Sequence, residues 1–345
     1  MKHLTNARML AFGPVPSRRL GKSLGVNNIP PKTCSYSCVY CQLGRTITVT
    51  TKRRVFFKPE DVLHEVQRKV AQAVSRNENI DYLTFVPDGE PTLDACLGAE
   101  ISLLKKLKIP IAVLTNASLL WQPDVKEDLL EADFVSLKID CVSQNLWRRI
   151  DRPHRKLKLR TVLEGVLEFA EEFKGTIVSE TMIADGIDYA GEIERFAEFL
   201  GHLERLDKAY IAIPTRPPTE RWVRPAKEEV INAAFQVLAE ELGADRVEYL
   251  IGYEGNAFAS SGKADEDLLS ITAVHPLREE AVMELLRKAD ADWRVIQKLL
   301  RERELIELPY EGNKYYMRML PSRRKNAGKT LVHLTESSHE GYCHA

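Results

Sequence analysis

Three cysteines within eight residues, Cys34, Cys38 and Cys41, are the side chains of this 345-residue sequence best suited to chemistry. They close the run Pro30-Pro31-Lys32-Thr33-Cys34-Ser35-Tyr36-Ser37-Cys38-Val39-Tyr40-Cys41. Thiolates are soft ligands that suit iron–sulfur clusters, zinc or copper. Three cysteines can hold three irons of a cubane and leave the fourth iron open to chelate a substrate, as catalytic zinc keeps one position open. Structural zinc is the competing reading. A closed zinc site wants four ligands, and the next candidate, His64, lies 23 residues beyond Cys41. The remaining cysteines, Cys96, Cys141 and Cys343, are scattered, which excludes a disulfide scaffold and predicts a single cluster. Cys96 begins a helix, and Cys141, at a strand end near the expected mouth, reads as a small buried residue in preference to a working thiol.

The elements that must position these thiols follow from the hydrophobic pattern. Short apolar, β-branched runs recur at Ser23–Ile29, Tyr82–Val86, Ile111–Leu114, Phe134–Ile139, Thr176–Met182 and Tyr210–Ile213. Near-continuous hydrophobicity marks strands buried on both faces. Between them lie helical repeats, such as Val62, Leu63, Val66, Val70 and Val74, or Leu159, Val162, Leu163, Val166 and Leu167. Strand–helix alternation predicts an α/β fold with a parallel sheet. Six strands rather than eight predict a partial (β/α)6 TIM-like barrel, spanning residues 1–245 with a basic N-terminal segment. Chemistry then belongs on the loops at the carboxyl ends of the strands, and the cysteine loop directly follows the first.

Beyond Leu242 the rhythm changes. Helical patterns at Arg278–Lys288 and Asp292–Arg303 precede two β-like runs, Leu305–Leu308 and Lys314–Met319. Gly312-Asn313 supplies the left-handed positions of a tight hairpin between them. Helix, helix and hairpin predict a small winged-helix domain over residues 246–320. Its second helix would expose Arg294, Lys298 and Arg301 and bury Val295, Ile296, Leu299 and Leu300. Trp293 is expected in its core, and residues 321–345 are expected to form a flexible polar tail.

Net charge is −1, unevenly spread. Residues 1–59 hold eleven Lys/Arg and no acid, residues 312–335 six and none, and residues 60–311 a balance of −16. Basic ends suggest a partner bearing phosphates or carboxylates; salt bridges to the acidic middle are the alternative. Arg18 and Arg19, in a proline-punctuated loop, and Arg216, after the sixth strand, are candidate anion contacts. His154, in Arg152-Pro153-His154, is a candidate substrate contact or a loop histidine without a duty. No apolar run reaches transmembrane length and no signal peptide is legible, so a cytoplasmic protein without membrane contact is expected.

Cys-x3-Cys-x2-Cys with an aromatic residue, Tyr40, before the last cysteine resembles the signature of the radical S-adenosylmethionine (radical SAM) superfamily. That resemblance implies a [4Fe–4S] cluster on Cys34, Cys38 and Cys41 and S-adenosylmethionine on the open iron. An electron, from a reductant such as ferredoxin or flavodoxin, cleaves the sulfonium to a 5′-deoxyadenosyl radical that abstracts hydrogen. Asp88-Gly89-Glu90-Pro91 resembles the superfamily's Gly-Gly-Glu turn, whose backbone receives the methionine amino group; Asp88 replaces the first glycine. Leu114-Thr115-Asn116 and Ser136-Leu137-Lys138-Ile139-Asp140 end strands where related enzymes place ribose and carboxylate contacts. The implied cofactor contacts are therefore Tyr40, Gly89, Glu90, Asn116, Lys138, Asp140 and, on the fifth strand, Glu180. Phe12–Gly21, Pro30–Cys34, Gly89–Leu93 and Arg152–His154 further resemble the wybutosine-synthesis-like Fe–S oxidoreductases, over roughly residues 11–226.

Three functions follow. The first is a radical SAM oxidoreductase acting on an anionic substrate, with RNA, transfer RNA above all, preferred. The second modifies a protein or peptide, the winged helix serving as a docking module. The third is a non-catalytic Fe–S regulator that binds DNA.

Overall fold

The computed structural model describes residues 10–252, 255–256 and 258–319. The expected tail and Cys343 lie outside them. Eight strands form one sheet: β1 (Ala11–Ser17), β2 (Gly21–Val26), β5 (Tyr82–Phe85), β6 (Ile111–Thr115), β7 (Phe134–Lys138), β8 (Thr176–Met182), β9 (Leu206–Ala212) and β10 (Val247–Leu250). The short strands β3 (Thr33–Cys34) and β4 (Thr48–Val49) pair apart from it, within the cysteine-bearing region. From β2 to β10 every neighbour is parallel; β1 folds back antiparallel on β2.

The six strands expected are all present, but two more join them. Val247–Leu250 aligns on Ala209–Ala212, so the parallel sheet runs past residue 245. Its pattern, Val-Glu-Tyr-Leu, is buried only at the two ends, which hid it from a search for continuous apolar runs. β1 escaped notice because its prolines argue against a strand; as the sheet's edge it tolerates them.

Helices α1 (Pro59–Ser75), α2 (Leu97–Leu104), α3 (Pro123–Leu130), α4 (Gln144–Ile150), α5 (Leu159–Glu172), α6 (Glu192–Gly201) and α7 (Glu228–Leu242) connect the strands. Their apolar stripes close the main core: Val62 and Val66 of α1, Val162, Val166 and Phe169 of α5, and Leu200 of α6 are buried against strand residues such as Leu83, Val113, Val135 and Ile177. Burying one such side chain contributes roughly 2 kcal/mol. The opposite face of the sheet has a small plug of its own, Leu20, Ala112, Phe134 and Val178 with Tyr82 and Tyr210.

The C-terminal unit comprises α8 (Ala264–Val274), β11 (Leu277–Arg278), α9 (Glu279–Lys288), α10 (Arg294–Arg301), β12 (Leu305–Tyr310) and β13 (Asn313–Arg318). Its strands form an antiparallel sheet in the order β11-β13-β12. Glu311 and Gly312, at φ 46° and 73°, take the left-handed turn positions, one residue earlier than the expected Gly312-Asn313. Asn313 instead opens β13 opposite Tyr310. On α10, Ile296 and Leu299 are buried, whereas Val295 and Leu300 are only half-buried at the edge of the same core; Trp293 is likewise partly buried, edge-on to Tyr316. That core also contains Phe12 and Val15 of β1, so the unit packs on the first strand of the large sheet.

Candidate active site

The chain leaves β2 at Val26 and carries the cysteines across the carboxyl edge of the sheet. Many bonds fix this loop. Ser37 N and Val39 N donate to the carbonyls of Asp151 and Ile150 at 3.0 and 2.9 Å. His154 N donates to Ser35 O at 2.9 Å, and Glu220 N to Val39 O at 3.0 Å. Tyr36 is buried edge-on against Trp147, whose indole N–H donates to its hydroxyl at 3.1 Å. Ser35 and Ser118 share a hydroxyl bond of 2.6 Å. A loop tied at so many points presents its thiols in a preset geometry.

The turn Asp88–Pro91 leaves β5 and is joined to the loop directly. Glu90 N donates to Thr33 O at 3.1 Å. A side chain at Gly89 would run into that same carbonyl, so only glycine fits. The Glu90 carboxylate is buried and fully occupied, accepting from Thr92 N (3.1 Å), Thr92 Oγ1 (2.7 Å), Thr115 Oγ1 (2.6 Å) and Asn116 N (2.8 Å). It therefore positions the rim by clamping the turn to the end of β6. Asn116 turns its amide back to Ser35 Oγ at 2.8 Å and to Cys34 Sγ at 3.5 Å.

A second cluster joins the ends of β7 and β8. Lys138 Nζ lies 3.3 Å from both Asp140 and Glu180, and 4.9 Å from the centroid of the Tyr40 ring. The Tyr40 hydroxyl donates to Asp140 and, at 3.2 Å, to Asp151. Glu180 is also ion-paired with Arg19, reaching in from the β1–β2 turn. The structure thus gathers Tyr40, Lys138, Asp140 and Glu180 into one network and ties it to Arg19.

Each of the three rim sulfurs has a polar neighbour. Cys34 Sγ accepts from Tyr36 N at 3.4 Å, Cys41 Sγ accepts from Lys32 Nζ at 3.4 Å, and the Cys38 thiol points at Asp151 at 3.4 Å. Burial pushes the Cys34 thiol up to about 12 and that of Cys38 well above its ordinary range, with Glu90 the next contributor for Cys34 and Asp151 for Cys38. Thiolates here need a cationic partner to offset desolvation, which iron supplies. Among the described residues, no three His, Cys, Asp or Glu side chains are gathered for a single metal ion. A cubane asks for a looser spacing, one thiolate per iron. The donor set fits a [4Fe–4S] cluster.

Beside the rim lies a cavity of about 150 Å³. Arg18, Arg19, Gln42, Arg216 and His275 line it together with Ser23 and Thr84 of the sheet. Arg18 stands exposed at its mouth, bonded to the carbonyls of Leu250 and, at 2.8 Å, Gly252. Arg19 is deeper; burial, with the Arg18 charge second, lowers its guanidinium to about 10, and its Nε has no hydrogen-bond partner among the described residues. Arg216 donates to Gln42 Oε1 at 2.9 Å and meets His275 Nε2 at 3.1 Å. Because guanidinium only donates, Nε2 is the acceptor and the imidazole proton sits on Nδ1. Burial and the charge of Arg216 hold His275 well below its usual range, hence neutral. The loop bearing Arg216 is held from the C-terminal hairpin, where Tyr310 and Tyr315 donate to the carbonyls of Pro214 and Thr215, each at 2.8 Å.

Of the four candidate substrate residues, three converge on this cavity. His154 does not; it sits half-exposed on the segment that braces the cysteine loop, its ring accepting from Lys156 N at 3.3 Å. Sequence reasoning missed Lys32, Asp151 and His275 as site residues. The first two stand inside or beside quoted motifs, and their type was a usable signal. Nothing local marks His275.

The sequence profile of the radical SAM superfamily matches residues 28–200, from the cysteine loop to the end of α6. The chain belongs to the radical SAM superfamily. The superfamily's cofactors are a [4Fe–4S] cluster and S-adenosylmethionine. The UPF0026 protein MJ1312 of Methanocaldococcus jannaschii is 48% identical over 318 residues, 92% of this chain and 98% of that one. A UPF0026 protein of Helicobacter pylori is 31% identical over 235 residues, 66% of this chain and 73% of that one. A radical SAM methyltransferase from Sphaerobacter thermophilus shares the fold, with TM-score 0.50 at 14% identity over 66% of each chain. TYW1 with a lysine–pyruvate adduct bound gives TM-score 0.46 at 16% identity, covering 64% of this chain and 75% of that one. No helix among the described residues is long and apolar enough to cross a membrane.

Proposed function

We propose that this radical SAM protein is a cytoplasmic oxidoreductase that abstracts hydrogen from an anionic substrate, RNA being the substrate class. The observation that carries the anionic reading is the convergence of Arg18, Arg19 and Arg216 on the cavity beside the cysteine rim, a cavity without an acidic lining residue among those described. When bound, the cluster and S-adenosylmethionine supply a hydrogen-abstracting radical, with ferredoxin or flavodoxin as the electron source. The chain's own residues bind and orient. Cys34, Cys38 and Cys41 would hold the cluster. The Gly89 backbone, Asn116 and the Tyr40–Lys138–Asp140–Glu180 network would receive the polar groups of S-adenosylmethionine. The arginines would hold an acidic group of the substrate by paired N–H···O bonds.

The RNA reading is supported by the C-terminal unit. Its order of helix, short strand, two helices and hairpin fits a winged helix, and Arg294, Lys298 and Arg301 are all exposed on α10. Such a face gives phosphate affinity without reading sequence. Two measurements test the proposal. Anaerobically reconstituted protein with a reductant and S-adenosylmethionine should yield 5′-deoxyadenosine; its absence removes the enzyme. Affinity for transfer RNA should fall steeply with salt, and a flat response or no binding removes RNA.

A further inference from the structure

Lys32 is 2% exposed and lies at φ 61°, a left-handed backbone that a side-chain-bearing residue adopts only when its surroundings impose it. The surroundings are clear. Its N–H donates to Asp88 O at 2.7 Å, and its carbonyl accepts from Ile47 N and Thr48 N, both at 3.0 Å. Fixed on both sides, the residue directs its ammonium to Cys41 Sγ at 3.4 Å. A buried cation needs a counter-charge. Asp88 stands on the turn opposite, 2% exposed, with Oδ1 lacking any hydrogen-bond partner among the described residues. The charges facing its carboxyl are Lys32 and Arg318 of β13, and the Asn27 side chain bonds to its turn; burial nevertheless raises it to about 7. Asp88 is also the residue that stands in place of the first glycine of the superfamily's turn.

We propose that Lys32 and Asp88 are an opposed pair of charges just outside the cluster that together set its reduction potential. Reduction adds negative charge to the cluster and its thiolates. An ammonium donating to a ligand sulfur stabilises that state and raises the potential, whereas a nearby carboxylate lowers it. Asp88 acts through Lys32 and through the field, touching no ligand itself, so it is a positioning residue. The inference rests on the cluster assignment above.

The experiment is a redox titration of the anaerobically reconstituted full chain at pH 8.5, where Asp88 is ionised, followed by visible absorbance and by the electron spin signal of the reduced cluster. Lys32→Met should move the midpoint to more negative potential and Asp88→Asn to more positive potential, with iron content unchanged. Midpoints that stay at the wild-type value, or move in the same direction, overturn the inference. Asp88→Asn is nearly isosteric, so it decides alone if Lys32→Met does not take up iron: a positive shift supports the pair, none removes it. Wild-type protein that binds no cluster would sink the cofactor assignment first, an outcome distinct from a loaded cluster with unmoved potentials.

Discussion

The cysteine rim and the arginine-lined cavity are neighbours, with Gln42 of the cavity next to Cys41 of the rim, yet they are assembled on different scales. The rim is a loop and a set of strand ends in chain order, and its polar groups are bonded to one another before any cofactor arrives. The cavity draws Arg18 and Arg19 from the β1–β2 turn, Arg216 from the loop after β9 and His275 from the end of α8. Its third arginine is held in place by tyrosines of yet another element. The rim is thereby specified largely by short segments, whereas the cavity is a long-range junction, and the Arg19–Glu180 ion pair couples the two.

The comparison breaks first at the cysteines. Cys34→Ala should abolish cluster assembly, read as loss of iron and of visible absorbance, and reduce 5′-deoxyadenosine formation at least about 1,000-fold, because no neighbouring side chain substitutes for a thiolate. Next is the clamp. Glu90→Ala leaves four donors without their acceptor inside the protein and should lower the unfolding free energy by roughly 3 kcal/mol in chemical denaturation. Glu90→Gln should recover part of it, since one oxygen still accepts. Unchanged stability in both would mean the turn is not welded to β6 as described.

The cavity predicts smaller effects. Arg216→Met should weaken binding of an acidic substrate about tenfold, as expected for one lost charge-assisted bond, while S-adenosylmethionine cleavage without substrate persists. Equal loss of both activities would assign Arg216 to the rim. Tyr310→Phe combined with Tyr315→Phe should cost about 1 kcal/mol per bond and weaken substrate binding without altering cluster content.

The smallest effect concerns the support beneath the rim. Glu100 is fully buried on α2 and accepts from Asn28 at 3.0 Å; burial, with Asp94 second, raises its carboxyl to about 9. The folded chain keeps this proton where the unfolded chain has released it. The resulting stability is complete below about pH 4.5 and is lost as pH rises through 9. Glu100→Gln should therefore melt a few degrees above wild type at pH 8 and at the same temperature at pH 5. A gain at pH 5 equal to that at pH 8 would rule out titration as the cause.

The rim was largely legible in the sequence because its determinants are local. Cysteine spacing, the Gly89-Glu90 turn and the apolar runs that become β2, β5, β6 and β7 are each read within a dozen residues, and parallel topology places their ends on one edge. What was hidden had a physical reason. β10 is buried only at its two ends rather than running apolar throughout, and β1 uses prolines that an edge strand accepts. The turn of the C-terminal hairpin slipped by one residue because glycine fixes that a turn exists, not which neighbour shares its left-handed conformation.

By itself, then, the sequence determined that three soft donors stand together at one strand edge, and its family motif carried the class of cofactor, since cysteine spacing and a buried parallel sheet are properties of short segments. Only the tertiary structure decided that Arg19 pairs with Glu180, that Arg216 meets His275 across 59 residues, and that Lys32 shares its field with Asp88. Those pairings depend on how distant segments pack. Packing is set by the whole core, and no local pattern of residues encodes it.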